Sequence, residues 1–389
     1  MKIRYAAFFL LAAMLTACGG GGTSTGGAGA AVGNTIVSGT ASLGIIQNGR
    51  VKVYQLTGDG RKIFLAETTT DSSGRYSVSI TTPTTPILVE VSGGTYVDEA
   101  TGLTVVRSDS EILHAAVSSP SAIQQVAVTP LSELAYRLAG SPLTAAGIDS
   151  ANSEVSDAFN VDIVNVQPVE PTLTGFRSPT TQAQKDYSLA LATLSQQALS
   201  TPGGSVETVI ETYKQDLAPD GRISLGTATT FSTVLSQFLT NPRNQTGLTT
   251  ATTALANFGT LTQLVKLNTT GTFAAGSFIK GVQVQLQFPA GVNIQYTGGV
   301  PDSGVVVPSG AAAAVTTVDS SYDPVTRTLS LGIINAQPGF GLGEFTTIRA
   351  DVVPGAPLEE NLFTVSGGVV TGQGGLQIDP DSISIFVTL

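Results

Sequence analysis

Two hydrophobic periods take turns along this chain. Between Ile36 and about Val117, apolar residues gather in short runs split by turn signals, with the clearest alternation at Tyr76–Ile80. The runs are Ile36-Val37-Ser38-Gly39-Thr40, Gly49-Arg50-Val51-Lys52-Val53-Tyr54, Lys62-Ile63-Phe64-Leu65-Ala66, Tyr76-Ser77-Val78-Ser79-Ile80 and Ile87-Leu88-Val89-Glu90-Val91. A period of two sends successive side chains to opposite faces of a strand, and each short run bounded by turn residues predicts a strand. Gly58-Asp59-Gly60 and Asp71-Ser72-Ser73-Gly74 supply tight turns, and Pro83 and Pro86 bracket an edge. Strands separated by turns at roughly ten-residue spacing predict a β-sandwich over residues 36–117.

Near Val128 the period lengthens to that of a helix. Thr129 is a natural N-cap with Pro130 at the first helical position, and Leu131, Leu134, Ala135 and Leu138 form one stripe that Gly140 closes. Further stripes follow at Tyr187, Leu191, Leu194 and Ala198, and at Val206, Val209, Ile210, Tyr213 and Leu217. Phe231, Val234, Leu235, Phe238 and Leu239 give the cleanest amphipathic spacing. A last helix is expected from Thr249 to Lys266, so that residues 118–268 read as an all-α unit of five or six helices. Beyond about Gly271 the period of two returns in Val282–Phe288, Arg327–Leu331 and Ser382–Val387, which predicts a second sandwich over residues 269–389.

The first residues carry a different signal. Lys2 and Arg4 precede an apolar run, Tyr5 to Met14, that is too short to span a bilayer, and small residues follow it. This is the pattern of a secretory signal peptide. The run Leu15-Thr16-Ala17-Cys18 that ends it resembles the lipobox of bacterial lipoproteins. That resemblance implies cleavage after residue 17, acylation of Cys18 (palmitate among its acyl chains), and anchorage in the cell envelope. Gly19 in place of aspartate matches the sorting pattern of outer-membrane lipoproteins of Gram-negative bacteria. Residues 18–35, rich in Gly, Thr, Ser and Ala, then read as a flexible tether with a reach of roughly 20 Å.

Composition narrows the options. Charged residues make up 12% of the chain and apolar residues 41%, enough for real cores without wholesale disorder. Loss of Lys2 and Arg4 with the leader leaves 16 basic against 28 acidic residues, a net charge of −12. Such a chain repels phosphate backbones and shows no basic cluster, so nucleic-acid binding is disfavoured. Cys18 is the one cysteine in the sequence, so its lipidation leaves no thiol for a disulfide.

Two further resemblances concern the sandwiches. Val37-Ser38-Gly39-Thr40-Ala41, Val51-Lys52-Val53-Tyr54 and Thr70-Asp71-Ser72-Ser73-Gly74-Arg75-Tyr76 resemble the carboxypeptidase regulatory-like module of secreted bacterial proteins. This implies an immunoglobulin-type fold without catalysis of its own. Leu286-Gln287-Phe288-Pro289-Ala290-Gly291-Val292, with Tyr322-Asp323 and Gly343-Glu344-Phe345, resembles the cohesin and carbohydrate-binding-module superfamily of jelly-roll sandwiches. Cohesins bind protein partners through one sheet face. In addition, Gly93–Gly102 followed by Val128-Thr129-Pro130-Leu131 looks like a two-part arrangement of modular proteobacterial surface proteins.

Catalytic constellations are sparse. His114, the lone histidine, alternates with apolar neighbours and has no G-x-S-x-G elbow to serve, so it reads as structural. One histidine and one lipidated cysteine exclude the usual zinc sets. Asp216–Gly221 invites a calcium reading. The third and twelfth positions of an EF-hand loop starting at Asp216 hold Ala218 and Thr227, however, and turn chemistry accounts better for the run. Asp379, Asp381 and Glu359-Glu360 read as solvated surface. Gly339-Phe340-Gly341-Leu342-Gly343 lacks the spacing and the strand-to-helix context of a phosphate loop. A sugar-stacking row is not evident either: the chain has no Trp, and Tyr296, Tyr322, Phe340, Phe345, Phe363 and Phe386 are scattered.

The sequence therefore predicts a multi-domain α and β protein. It runs signal peptide (1–17), tether (18–35), Ig-like sandwich (36–117), helical unit (118–268) and cohesin-like sandwich (269–389). No catalytic, cofactor-binding or metal-binding residue is assigned, and Cys18 is the one site residue. The expected role is that of a lipid-anchored, non-catalytic protein-binding or scaffolding protein of the cell envelope, held to the membrane by its acyl chains. The alternatives are a carbohydrate-binding or glycan-processing accessory lipoprotein, or a structural spacer of a surface assembly.

Overall fold

The computed structural model describes residues 33–172, 180–273, 276–315, 317–335 and 338–389. The signal peptide, Cys18 and nearly all of the tether lie outside the described residues. The first nine strands are β1 (Asn34–Thr40), β2 (Arg50–Leu56), β3 (Lys62–Thr69), β4 (Arg75–Thr81), β5 (Ile87–Ser92), β6 (Thr95–Val97), β7 (Thr104–Val106), β8 (Ile112–Val117) and β9 (Ile123–Gln125). A three-stranded sheet β4-β1-β9 faces a four-stranded sheet β3-β2-β5-β8, and β6 and β7 form a hairpin of their own. Val37, Val51, Val53, Val89 and Val91 fill the space between the sheets, each fully buried. The unit extends past the expected limit at residue 117. β9 pairs in parallel with β1, and Val126 and Val128 belong to the same core.

Five α-helices follow: α1 (Pro130–Leu138), α2 (Ala145–Phe159), α3 (Gln182–Ser200), α4 (Val206–Leu217) and α5 (Leu225–Leu239). Each starts at a Ser or Thr N-cap, namely Thr129, Thr144, Thr181, Ser205 and Ser224, whose side chain accepts a first-turn backbone N–H. Such caps contribute about 1 kcal/mol apiece. Their shared core centres on four aromatic rings. Phe231 stacks on Phe258 with centroids 3.9 Å apart, and Phe159 and Tyr213 meet both edge-on. α2 carries a sparse stripe, Ile148, Ala151, Val155, Ala158 and Phe159, which the sequence reading passed over.

The helix expected from Thr249 to Lys266 does not form. A short 3-10 turn, Ala254–Asn257, ends at Gly259, which has φ +74°, and a strand begins at Leu261. A side chain at Gly259 would also meet Ile223 Cβ at 2.8 Å, so both the backbone and the packing require glycine there. The change of period thus falls near residue 260, and the expected boundary at 268/269 lies inside a strand.

The remaining strands are β10 (Leu261–Gly271), β11 (Gly281–Gln287), β12 (Val292–Asn293), β13 (Tyr296–Thr297), β14 (Val300–Pro301), β15 (Val306–Pro308), β16 (Thr317–Asp323), β17 (Thr328–Ile334), β18 (Gly343–Val352), β19 (Thr364–Thr371) and β20 (Ile383–Thr388). One sheet runs β12-β18-β10-β20 with β15 also on β18, and the other runs β16-β17-β11-β19. Phe288, Phe345, Leu286, Ile348 and Leu329 pack between them. Tyr322, Phe340, Phe345 and Phe363 are buried in this core, whereas Tyr296 and Phe386 are about two-fifths exposed.

The first sandwich and the helical unit are joined by more than a linker. Leu56 and Leu88 from the sheet, Ala116 from β8 and Ile148 from α2 form one buried cluster. β8 is an edge strand whose outward backbone groups are taken by helical side chains. Glu133 accepts His114 N–H, Ser132 donates to His114 C=O, and Asn152 donates to Ala116 C=O. This cover keeps the edge from pairing with another chain.

Candidate functional site

The outer face of the β16-β17-β11-β19 sheet combines hydrogen-bonding capacity, exposure and order. β11 alternates strictly, with Val282, Val284 and Leu286 buried and Gln283, Gln285 and Gln287 exposed. β17 does the same, sending Leu329, Leu331 and Ile333 inward and Thr328, Ser330, Gly332 and Ile334 outward. The register aligns these into rows across four strands. One row is Ser321–Ser330–Gln285–Ser366 and the next is Asp323–Thr328–Gln287–Thr364. With strands ~4.8 Å apart, each row spans roughly 14 Å.

A β-bulge makes the fourth strand fit. Gln283 pairs with Val369 and Gln285 with Ser366, so Gly367 and Gly368 together oppose Val284. The extra residue resets the alternation, which keeps Thr364 and Ser366 on the same outer face as Val369 and Thr371. Gly367 has φ +63°, a conformation that favours glycine.

A shallow groove of about 520 Å³ follows the polar rows. Asp323 is the one charged side chain in them, and it is turned toward its own loop, accepting Val325 N–H and Thr326 Oγ1. Toward the other end the face becomes apolar. Ile334 and Phe278 are about half exposed there, beside Val369, around a groove of about 820 Å³. The face therefore offers a row of neutral donors and acceptors flanked by Asp323 on one side and Asp319 on the other, and an apolar foothold with Lys280 at its edge at one end. The alternation was visible in the sequence, but Ser321, Ser330, Ser366 and Phe278 were not singled out, since only the register brings them together.

The residues weighed for chemistry lie elsewhere and apart from one another. His114 sits on β8 with Nδ1 2.7 Å from Glu133 Oε2 and Nε2 3.6 Å from Glu90 Oε1, stacked on the Tyr136 ring at 4.1 Å. Burial opposes its positive charge, but the hydrogen bond to Glu133 and the nearby Glu90 carboxylate outweigh burial and raise its pKa above 6.5. Burial likewise works against ionised Glu90, yet the nearby His114 and the hydrogen bond from Lys62 bring it down to about 2. Asp216 accepts Ser224 N–H, while Ala218 caps α4 and Thr227 lies in the first turn of α5, so the three do not share a loop. Phe340 pairs with Ile279 in an isolated bridge, in a strand setting. Asp379 accepts the Asp381 N–H, and Glu360 accepts the Leu389 N–H.

A further groove of about 690 Å³ runs between β8 and α2, with Asp149, Asp157 and Asp162 around it. Among the described residues, no group of three or more His, Cys, Asp or Glu is placed to hold a metal ion. No helix among them is long and apolar enough to cross a membrane.

No family model matches this chain, and no curated protein matches it. Among solved structures it is similar to a 9R-lipoxygenase from Cyanothece PCC8801, at 10% identity and a TM-score of 0.19. The alignment covers 88% of this chain and 44% of the lipoxygenase, so the chain spans less than half of that protein's length. A likeness of that size carries no argument about fold or activity.

Proposed function

We propose that this chain is a lipid-anchored protein of the bacterial cell envelope that binds a protein partner, without catalysis, through the outer face of its β16-β17-β11-β19 sheet. In this reading Cys18 carries the acyl chains, and the tether and first two units extend the C-terminal sandwich away from the membrane. The first unit is then an Ig-like sandwich of the carboxypeptidase regulatory-like type, and the last a cohesin-like jelly roll. The observation that carries the proposal is the row Ser321–Ser330–Gln285–Ser366. These are four hydroxyl or amide side chains with no protein partner among the described residues, beside the exposed Ile334 and Phe278. Neutral polar groups next to an apolar patch suit a protein surface, since few charges must be desolvated on contact.

The test is capture from solubilised envelopes with the acylated chain, against a Gln285→Arg/Ser330→Arg variant. The proposal expects a defined protein to be retained by the native chain and lost with the variant. Equal capture by both removes the face from consideration. Neutral amides and hydroxyls also match sugar hydroxyls, which favours a polysaccharide as the second reading. Retardation of the native chain, but not the variant, in gels containing soluble polysaccharide would support that reading instead.

A further inference from the structure

Two titratable groups are built into the seam between the first sandwich and the helical unit, and neither is needed by the proposed binding face. Glu99 follows the β6 strand and is 1% exposed. Its Oε1 accepts Gly44 N–H at 2.7 Å and its Oε2 lies 2.8 Å from the Ser195 hydroxyl of α3, which can donate to the carboxylate or accept from the carboxylic acid, so this one group ties a turn of the sandwich to a helix in either protonation state. No cation is bonded to it among the described residues. The nearest candidate, Arg243, directs Nε to the Glu99 backbone carbonyl instead. Tyr96 of β6, Asp98 just after it and Glu170 from the segment before α3 are titratable groups around Glu99.

His114 joins the first sandwich to the helical unit at a second place. It stands between Glu90 of β5 and Glu133 of α1, on the ring of Tyr136. The charges continue outward in alternating sign. Lys62 of β3 lies 2.6 Å from Glu90, Arg137 lies 2.7 Å from Glu133, and Arg137 reaches Glu207 and Glu211 of α4. A protonated His114 is thus the central cation of a chain of ion pairs that crosses from the sheet to two helices.

We propose that this seam is a pH-responsive clamp, tightest in mildly acidic surroundings and looser as rising pH charges Glu99 and discharges His114. The two groups act in the same direction. Burial, with the charge of Glu170, raises Glu99 to about 7, so the folded chain keeps a proton there that the unfolded chain releases near 4.5. Its contribution is full below the unfolded value and is lost as pH rises toward 7. His114 is raised above 6.5, so its contribution is full below that value and is lost as pH passes through the raised one. Glu90 and Glu133 are both held below the usual carboxylate range, so they remain charged partners throughout this window.

The experiment is calorimetry of the full chain from about pH 5 to about pH 8.5, beside Glu99→Gln and His114→Gln. Gln keeps the size of Glu99, and its amide can meet Gly44 and Ser195 because the serine hydroxyl can reverse to accept. The native transition that includes the first sandwich and helices is expected to fall in temperature as pH rises. Glu99→Gln should remove the part of that fall below pH 7 and raise the transition by roughly 5 °C at about pH 8. His114→Gln should lower the transition at about pH 5 and leave it little changed at about pH 8. Profiles of both variants parallel to that of the native chain would overturn the proposal. Should a variant fail to fold, the single histidine of the native chain still decides, because its ring resonance needs no assignment. A titration midpoint above 6.5, with seam amides exchanging faster at high pH than intrinsic rates explain, supports the clamp. A midpoint at or below 6.5 contradicts it.

Discussion

The Oε2 atom of Glu133 lies 2.7 Å from both the backbone nitrogen and the Nδ1 of His114, so one carboxylate oxygen holds a strand edge and a side chain together. Glu133 occupies the first turn of α1, where a negative charge is favoured by the helix dipole, and its other oxygen accepts Arg137 Nε at 2.7 Å. With its side chain 3% exposed, it joins β8 to α1 more firmly than an exposed ion pair can.

Removal of this carboxylate leaves the His114 N–H without its acceptor and takes from His114 and Arg137 their most buried anionic partner, with Glu90, Glu207 and Glu211 remaining beside them. Glu133→Ala is therefore expected to destabilise the first sandwich and helical unit by about 3 kcal/mol, and Glu133→Gln by less, since an amide oxygen still accepts the backbone N–H. Urea denaturation of the full chain near pH 6 measures both. Equal midpoints for Glu133→Ala and the native chain would show that β8 is held by apolar packing alone.

The bulge at Gly367 sets which side chains the last sandwich shows to solvent. Deletion of Gly367 removes the extra residue, so Thr364 and Ser366 must turn into the core or the β11–β19 pairing must slip. The variant is expected to lose the cooperative melt of the C-terminal sandwich. By contrast, Gly332→Ala on the neighbouring strand, where a Cβ meets nothing closer than 3.8 Å, should melt like the native chain. Proteolytic resistance of the segment beyond residue 260 separates the two.

Membrane attachment is expected to depend on Cys18 alone. Cys18→Ser should move the protein from the membrane to the soluble fraction on cell fractionation, since in the proposed reading its acyl chains would supply the binding and the acidic chain would add none. Continued membrane association of the variant would place the anchor elsewhere.

Much of the fold was legible because local pattern and tertiary demand agree. The strands from Ile36 to Val91, Pro130 behind its Thr129 cap, the stripe from Phe231 to Leu239 and the alternation of Val282–Phe288 all lie where their periods put them. Two segments read poorly, for opposite reasons. α2 is rich in Ser, Asp, Asn and Ala, so its helix depends on packing of Ile148, Val155 and Phe159 against the other helices rather than on a strong stripe. The 249–266 segment carries apolar spacing compatible with a helix, but Gly259 needs a left-handed backbone and Leu261 onward pairs with β18 within one sheet of the last sandwich. The polar sheet face was half legible. Gln283, Gln285 and Gln287 announce an exposed face by alternation, whereas their alignment with Ser330, Ser321 and Ser366 depends on register and on one bulge. The pairing of His114 with Glu133, and the burial of Glu99 against Ser195 almost a hundred residues away, leave no periodic trace.

The central claim is that the outer face of the β16-β17-β11-β19 sheet meets a protein. Site-specific photocross-linking in intact cell envelopes tests it most directly, with the photoreactive residue at Gln285 in one chain and at the exposed Thr262 of the opposite sheet in another. The account predicts a discrete cross-linked protein adduct from position 285 and none from position 262. Absence of an adduct at 285, or the same adduct from both positions, would contradict it.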